Sequence, residues 1–148
     1  MRVAVASDHA GFHLKQAIAE HLRQAGYEIV DLGTDGTESV DYPDYGASLG
    51  RFVSSGQADK GVAVCGSGIG ICMAAGKIAG VRAATVHDVT SARLSRLHND
   101  ANIVCLGERF LGPQVALDAV DAFLSTEFEG GRHARRVGKI NKLDVDAS

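Results

Sequence analysis

Five short apolar runs, each followed by a helix-like segment, constrain this chain more than any single motif does. The runs are RVAVAS from Arg2, YEIVDLG from Tyr27, KGVAVCG from Lys60, GVRAATV from Gly80 and NIVCLG from Asn102. Between the first two, GFHLKQAIAEHLRQAG carries Leu14, Ile18 and Leu22 at helical spacing, with Gly26 as its stop. Further helices are expected at Tyr42–Ser54, with Pro43 in the first turn, at Ile69–Ile78, at Thr90 to about Leu97 and at Pro113–Leu124. Residues 132–143 predict a last one. Near-continuous apolar strands alternating with helices call for an α/β domain: a five-stranded parallel sheet with helices on both faces, a three-layer sandwich. Ligands of such sheets bind at the carboxyl ends of the strands. The informative loops are then SDHAG, GTDGTESVDYP, CGSGIG, HDVTS and GERFLG.

The rest of the composition mostly excludes. The chain has 148 residues, enough for one domain to bury a sizeable core, and no repeat or linker divides it, so a single domain over residues 1–148 is expected. A formal net charge of −3 gives no general basic field for nucleic acid. No apolar stretch approaches a membrane span. The three cysteines, without CxxC spacing, read as reduced thiols. A strand-like run directly after Arg2 does not resemble a signal peptide, and the expectation is a cytoplasmic protein without nucleic-acid or membrane partners.

The third apolar run opens into CGSGIG. Gly66, Gly68 and Gly70 let the backbone bend tightly and let an anion approach its N–H groups, at the positive end of the helix that follows. The spacing G-x-G-x-G is not the dinucleotide fingerprint G-x-G-x-x-G, and Gly76-Lys77 fails as a P-loop because Ile71 and Ile78 stand where glycine and Ser/Thr are required. A plain structural turn accounts for the glycines equally well. Cys65 adds to them. A thiol between a strand end and a helix N-terminus sits where a thiolate is stabilised, which makes Cys65 a candidate base or nucleophile. Cys72 and Cys105 lack that setting and read as small core residues.

Asp8 and His9 should lie at the same sheet edge; Asp8 also suits a helix N-cap. His9 and His13 are four residues apart, but His9 precedes the helix and no third ligand accompanies them, so no metal is expected. His98, Asn99 and Asp100 end the fourth helix and read equally as a capping and turn cluster. Arg132 and Arg136 share a helix face and could clamp a phosphate, or form a solvated basic surface with Arg135.

Taken together, SDHAGF, DYPDYG, CGSGIGI, SRLHND, LGERF and EGGRHARRV resemble the type B ribose-5-phosphate isomerases, a group that extends to galactose-6-phosphate isomerase subunits. The stretches occur in the family's order and cover nearly the whole chain. The resemblance implies a Rossmann-like fold, a homodimer, and interconversion of ribose 5-phosphate and ribulose 5-phosphate without metal or cofactor. By motif, Cys65 takes the place of the base, and Ser67 with the N–H groups of Gly66, Gly68, Ile69 and Gly70 that of the anion hole. His98 matches the ring-opening residue. Asp8, His9, Tyr42 and Asn99 match sugar contacts, and Arg109, Arg132 and Arg136 contacts at the phosphate end. In the family the second histidine and some arginines come from the neighbouring subunit. Two departures stand out: Gly76 replaces an expected asparagine, and Ile71 occupies the position of the glutamate base used by one branch, which favours Cys65. His13 matches nothing in the family pattern.

The reaction so implied abstracts a proton at C2 and pushes charge onto the C1 oxygen, so the anion served by the turn is an enediolate, with the phosphate held at the far end. A donor to a developing oxyanion is worth about 3–4 kcal/mol in the measured cases. Val137, Ile140 and Leu143 form an apolar stripe on the last helix, which is expected at the dimer interface of active sites shared between subunits, in a dimer or a tetramer. Two other readings stay open on the sequence: an isomerase of a six-carbon phosphosugar, allose 6-phosphate or galactose 6-phosphate, and a non-catalytic phosphosugar-binding module.

Overall fold

The computed structural model describes residues 1–146. Its strands are β1 (Arg2–Ser7), β2 (Glu28–Asp31), β3 (Lys60–Cys65), β4 (Ala83–Thr85) and β5 (Ile103–Gly107). Its helices are α1 (Phe12–Gln24), α2 (Tyr42–Ser54), α3 (Gly70–Gly76), α4 (Val89–Leu97), α5 (Pro113–Ser125) and α6 (Arg132–Asp146), and a 3-10 turn at His9–Gly11 precedes α1. All strand pairs are parallel, in the order β2-β1-β3-β5-β4. The chain therefore runs outward from β1 to β2 and then back across to β3. That reversal opens a crevice between the carboxyl ends of β1 and β3, where open α/β sheets bind ligands.

Strand alternation splits the core into two layers. Val3, Val5, Val62, Val64, Val104 and Leu106 face α1, α4 and α5, where they meet Ile18, Leu22, Val120 and Phe123. On α5, Val120 and Leu124 are buried and Leu117 packs against them. On the other face Ala4, Ala6, Ala63, Cys65 and Cys105 meet Leu49, Val53, Ile71 and Ala75 of α2 and α3. The small side chains of this layer let α2 and α3 lie close. A Cβ at Gly46 would come within 2.8 Å of the Ile71 carbonyl oxygen, so α2 and α3 touch through glycine.

Several boundaries differ from expectation, among them the second strand, which keeps only Glu28–Asp31. The third helix stops at Gly76, because the Lys77 and Ile78 N–H groups reach back only three residues, to Ala74 and Ala75, and tighten the last turn. The fourth strand shrinks to Ala83–Thr85 at the sheet edge, where it has one neighbour. The last helix extends to Asp146. It is held by the Gly80 N–H donating to Asp144 (2.8 Å), by Arg82 donating to Asn141 (3.0 Å), and by Val137, which the chain itself buries. The expected stripe is thus split: Val137 belongs to the chain's interior, while Ile140 and Leu143 are 44% and 64% exposed.

Candidate active site

At the carboxyl edge of the sheet, the loops after β3 and β5 lock together. The Glu108 N–H donates to the Cys65 carbonyl (2.9 Å) and the Arg109 N–H to the Gly66 carbonyl (3.0 Å). Gly68 has φ of +75°, and a Cβ there would lie 2.7 Å from the Leu106 backbone, so only glycine fits. Its carbonyl accepts the Thr85 hydroxyl (2.7 Å). Its N–H donates to Cys65 Sγ (3.1 Å), and the Ile69 N–H donates to Ser67 Oγ (3.2 Å). Two of the donors expected to face an anion are thus engaged inside the turn. Gly70 opens α3, so its N–H has no intrahelical acceptor, and among the described residues the Ser67 N–H has no acceptor either.

A hollow of about 450 Å³ opens in front of this turn. Of the predicted site residues it is lined by Asp8, His9, Tyr42, Cys65, Gly66, Ser67, Ile69, Gly70 and Arg109, together with Ala10 and Met73. Asp8 also caps the turn before α1 by accepting the Gly11 N–H (3.1 Å), as its capping reading expected. His9 Nδ1 accepts the Val40 N–H (3.1 Å), which leaves Nε2 as the ring's other polar atom. The Tyr42 ring lies on Gly70, where a Cβ would come within 2.5 Å of it. The Arg109 guanidinium lies over Gly66, 3.1 Å from where a Cβ would be. His13 is exposed and lines a different hollow with Leu14 and Glu108, so it and His9 do not form a ligand pair.

His98, Asn99, Arg132 and Arg136 are not there. α4 starts at the carboxyl end of β4 and returns to the amino end of β5, so its C-terminus lies at the opposite edge of the sheet. A six-residue strand such as β3 separates those edges by about 17 Å. His98 is the C-cap of α4. Arg96 reinforces that end, donating to Asp100 (2.7 Å) and to the Thr126 carbonyl (3.1 Å), and the Glu129 N–H donates to the Leu97 carbonyl (3.1 Å). The start of α6, with exposed Arg132 and Arg136, is thereby tied beside His98. Asn99 is exposed and lines another hollow with Gly76, Arg82 and Ile140.

Sequence reasoning missed three contributors. Lys15 is buried, donating to Asp31 (2.7 and 2.8 Å) and to the Thr34 carbonyl (2.8 Å), and so anchors the loop that leads to Val40 and Tyr42. Its signal was a lysine inside the apolar face of α1, three residues before Ile18 and seven before Leu22. Glu108 accepts the Leu14 N–H at the positive end of α1 (2.5 Å). His133 stacks on His98 with centroids 4.3 Å apart and planes 14° from parallel. Burial, and then the charges of Arg132 and His98, hold His133 below the usual imidazole range. Cys72, expected as a small core residue, is only partly buried, and its thiol is perturbed. A hydrogen bond with Cys105 is the main cause that pulls it down to about 6; burial opposes this, and Thr85 assists. Cys105 is pushed up by the same contact and by its burial.

The family model for ribose/galactose isomerases matches residues 3–140. This chain belongs to that family. Among curated proteins it is 43% identical over 143 residues to ribose-5-phosphate isomerase B of Escherichia coli, covering 97% of this chain and 96% of that protein. The solved structure of Clostridium thermocellum ribose-5-phosphate isomerase B is 51% identical and covers 100% of both chains with a TM-score of 0.99. That of the Mycoplasma genitalium ribose-5-phosphate isomerase B, which holds bound ribulose-5-phosphate, is 41% identical and covers 98% and 97% with a TM-score of 0.94. Within the ribose/galactose isomerase family the fold is the Rossmann-like parallel sheet described above. Among the described residues no helix is long and apolar enough to cross a membrane.

Proposed function

We propose that this member of the family interconverts ribose 5-phosphate and ribulose 5-phosphate, in active sites assembled between two copies of the chain. The observation that carries the reading is the division of the motif set. The Cys65 half sits at one edge of the sheet and the His98–Arg132–Arg136 half at the other, so a second copy is needed to bring them together. Exposed apolar side chains accompany each half: Ile69 and Met73 beside the hollow, Ile140 and Leu143 on α6. A two-fold interface that set one patch against the other would complete two sites at once.

In such a site Cys65 removes the C2 proton and returns it at C1. The N–H groups of Ser67 and Gly70 receive the charge that develops on the C1 oxygen, from positions fixed before the substrate arrives. Asp8, His9 and Tyr42 contact the sugar hydroxyls. The partner subunit's His98 opens the furanose ring, and the partner's Asn99 adds a sugar contact. Arg109 and the partner's Arg132 and Arg136 hold the phosphate and so fix C2 at the sulfur. No step calls for a metal. A coupled assay on ribose 5-phosphate after exhaustive EDTA treatment is expected to show full turnover, faster than on allose 6-phosphate or galactose 6-phosphate. Loss of activity with EDTA and recovery with zinc or manganese would overturn the mechanism; binding without turnover would leave only a phosphosugar-binding module.

A further inference from the structure

The junction of α4 and α6 sets His98 beside two groups, Glu129 and His133, to which the isomerase reaction gives no role. Glu129 and His133 are four residues apart across the Gly130–Gly131 turn, whose φ angles of +72° and +57° suit glycine. This turn carries the Glu129 carboxylate to His98 on the neighbouring helix. Glu129 Oε2 is 3.9 Å from His98 Nε2 and 4.0 Å from His133 Nε2. One ligand atom from each residue falls within 4.8 Å of the others. The rings are stacked, so both Nε2 edges meet the same carboxylate oxygen. His133 is 94% buried by its 6% exposure, and its Nε2 is a buried polar atom with no hydrogen-bond partner. Buried polar atoms are nearly always paired, so an unpaired one aimed at a carboxylate and a second imidazole points to a missing third party.

We infer that His98, Glu129 and His133 form a binding site for zinc or a similar borderline-soft divalent cation, and that filling it inhibits the isomerase. Two imidazoles and a carboxylate are a zinc ligand set, leaving a fourth position for water. Tetrahedral zinc sets its ligand atoms about 3.3 Å apart, so Glu129 must close by a little over half an ångström on each ring, from 3.9 and 4.0 Å, and the two ring nitrogens, which lie within 4.8 Å of each other, must also draw together. The part-exposed Glu129 and His98 side chains can supply those movements. A cation there holds the Nε2 lone pair of His98, which then cannot exchange a proton with a sugar ring. That inhibitory half of the inference rests on the reading of His98 as the ring-opening group; the binding half does not.

The test titrates zinc into the chelator-treated full-length protein by calorimetry and repeats it with three variants. The expected result is one zinc per chain, bound at least about tenfold more weakly by Glu129→Gln and by His133→Asn, and unchanged in Cys65→Ser. Glu129→Gln is exposed and isosteric, so it tests the site even if His133→Asn fails to fold. Zinc should slow the conversion of ribose 5-phosphate over the same concentration range, and EDTA should restore it. Glu129→Gln should keep its metal-free activity and need correspondingly more zinc for inhibition. Absence of saturable binding, or affinity indifferent to both ligand variants, overturns the site, as does binding that disappears with Cys65→Ser. Zinc binding without inhibition overturns the regulatory half. Zinc binding to a protein with no isomerase activity would sink the proposed function and leave the site standing.

Discussion

Cys65 and His98 act on different bonds in the proposed mechanism, and this gives each a separate signature. Ribose 5-phosphate is mostly a closed ring, which must open before its C2 proton becomes acidic. Ribulose 5-phosphate cannot close the corresponding five-membered ring, because its 5-oxygen carries the phosphate. A His98→Ala enzyme given ribulose 5-phosphate in heavy water should therefore still exchange its C1 proton, while its conversion of ribose 5-phosphate slows towards spontaneous ring opening. Cys65→Ala should lose both, by at least the ~10²–10⁴-fold typical of a general base. Proton NMR of the C1 position reads the exchange directly. Abolition of exchange by His98→Ala in a folded dimer would place His98 in the proton-transfer step itself. Cys65 could be picked out as a candidate from the sequence, because a strand end, a thiol and a glycine turn are adjacent in the chain. The engagement of the Gly68 N–H by the sulfur was not legible there, since it depends on the fold of the turn.

Among the elements, the most consequential contact is the one between α1 and the loop after β2. Lys15 is 1% exposed, and its ammonium is satisfied by both oxygens of Asp31 and by the Thr34 carbonyl. Asp31 in turn accepts the Gly33 N–H (2.9 Å). The loop so fixed ends at Val40, whose N–H orients His9, and at Tyr42, which covers Gly70. Lys15→Met keeps the volume but leaves a partly buried carboxylate without its cation. Removing one partner of a buried pair costs about 3–5 kcal/mol, and with Asp31 a quarter exposed the lower end, about 3 kcal/mol, is expected. The midpoint of urea unfolding should fall accordingly with little change in slope. The loosened loop should raise KM more than it lowers kcat, because it holds the proposed sugar contacts and not the proposed base. Apolar periodicity revealed α1 but not this clamp, because Lys15 pairs with a residue whose proximity depends on how β2 lies against β1.

At the scale of the molecule, the alternation of strands and helices was legible almost completely. Among the boundaries that slipped were those of β2, α3, β4 and α6, where tight turns and the sheet edge set the ends and apolar pattern does not. The candidate residues could be named from the sequence, but not the edge of the sheet at which each would lie. Motif order is silent about which edge of the sheet a residue occupies, although a parallel crossover already requires that the end of α4 and the end of β3 lie at opposite edges. That geometry is also what makes sharing of the site testable. In a two-fold dimer each site takes Cys65 from one chain and Arg136 from the other. A Cys65→Ala chain and an Arg136→Ala chain should each be nearly inactive alone. Random exchange makes half of the dimers hybrids, and each hybrid has one site with both groups intact and one with neither. Equal mixing should therefore restore roughly a quarter of the wild-type activity per chain. Recovery should follow the rate of subunit exchange, measured by mass spectrometry on isotopically labelled chains. If exchange is complete and activity does not return, each chain must build its site alone, and the separation of His98 from Cys65 across the sheet would then have to close by a rearrangement within one copy.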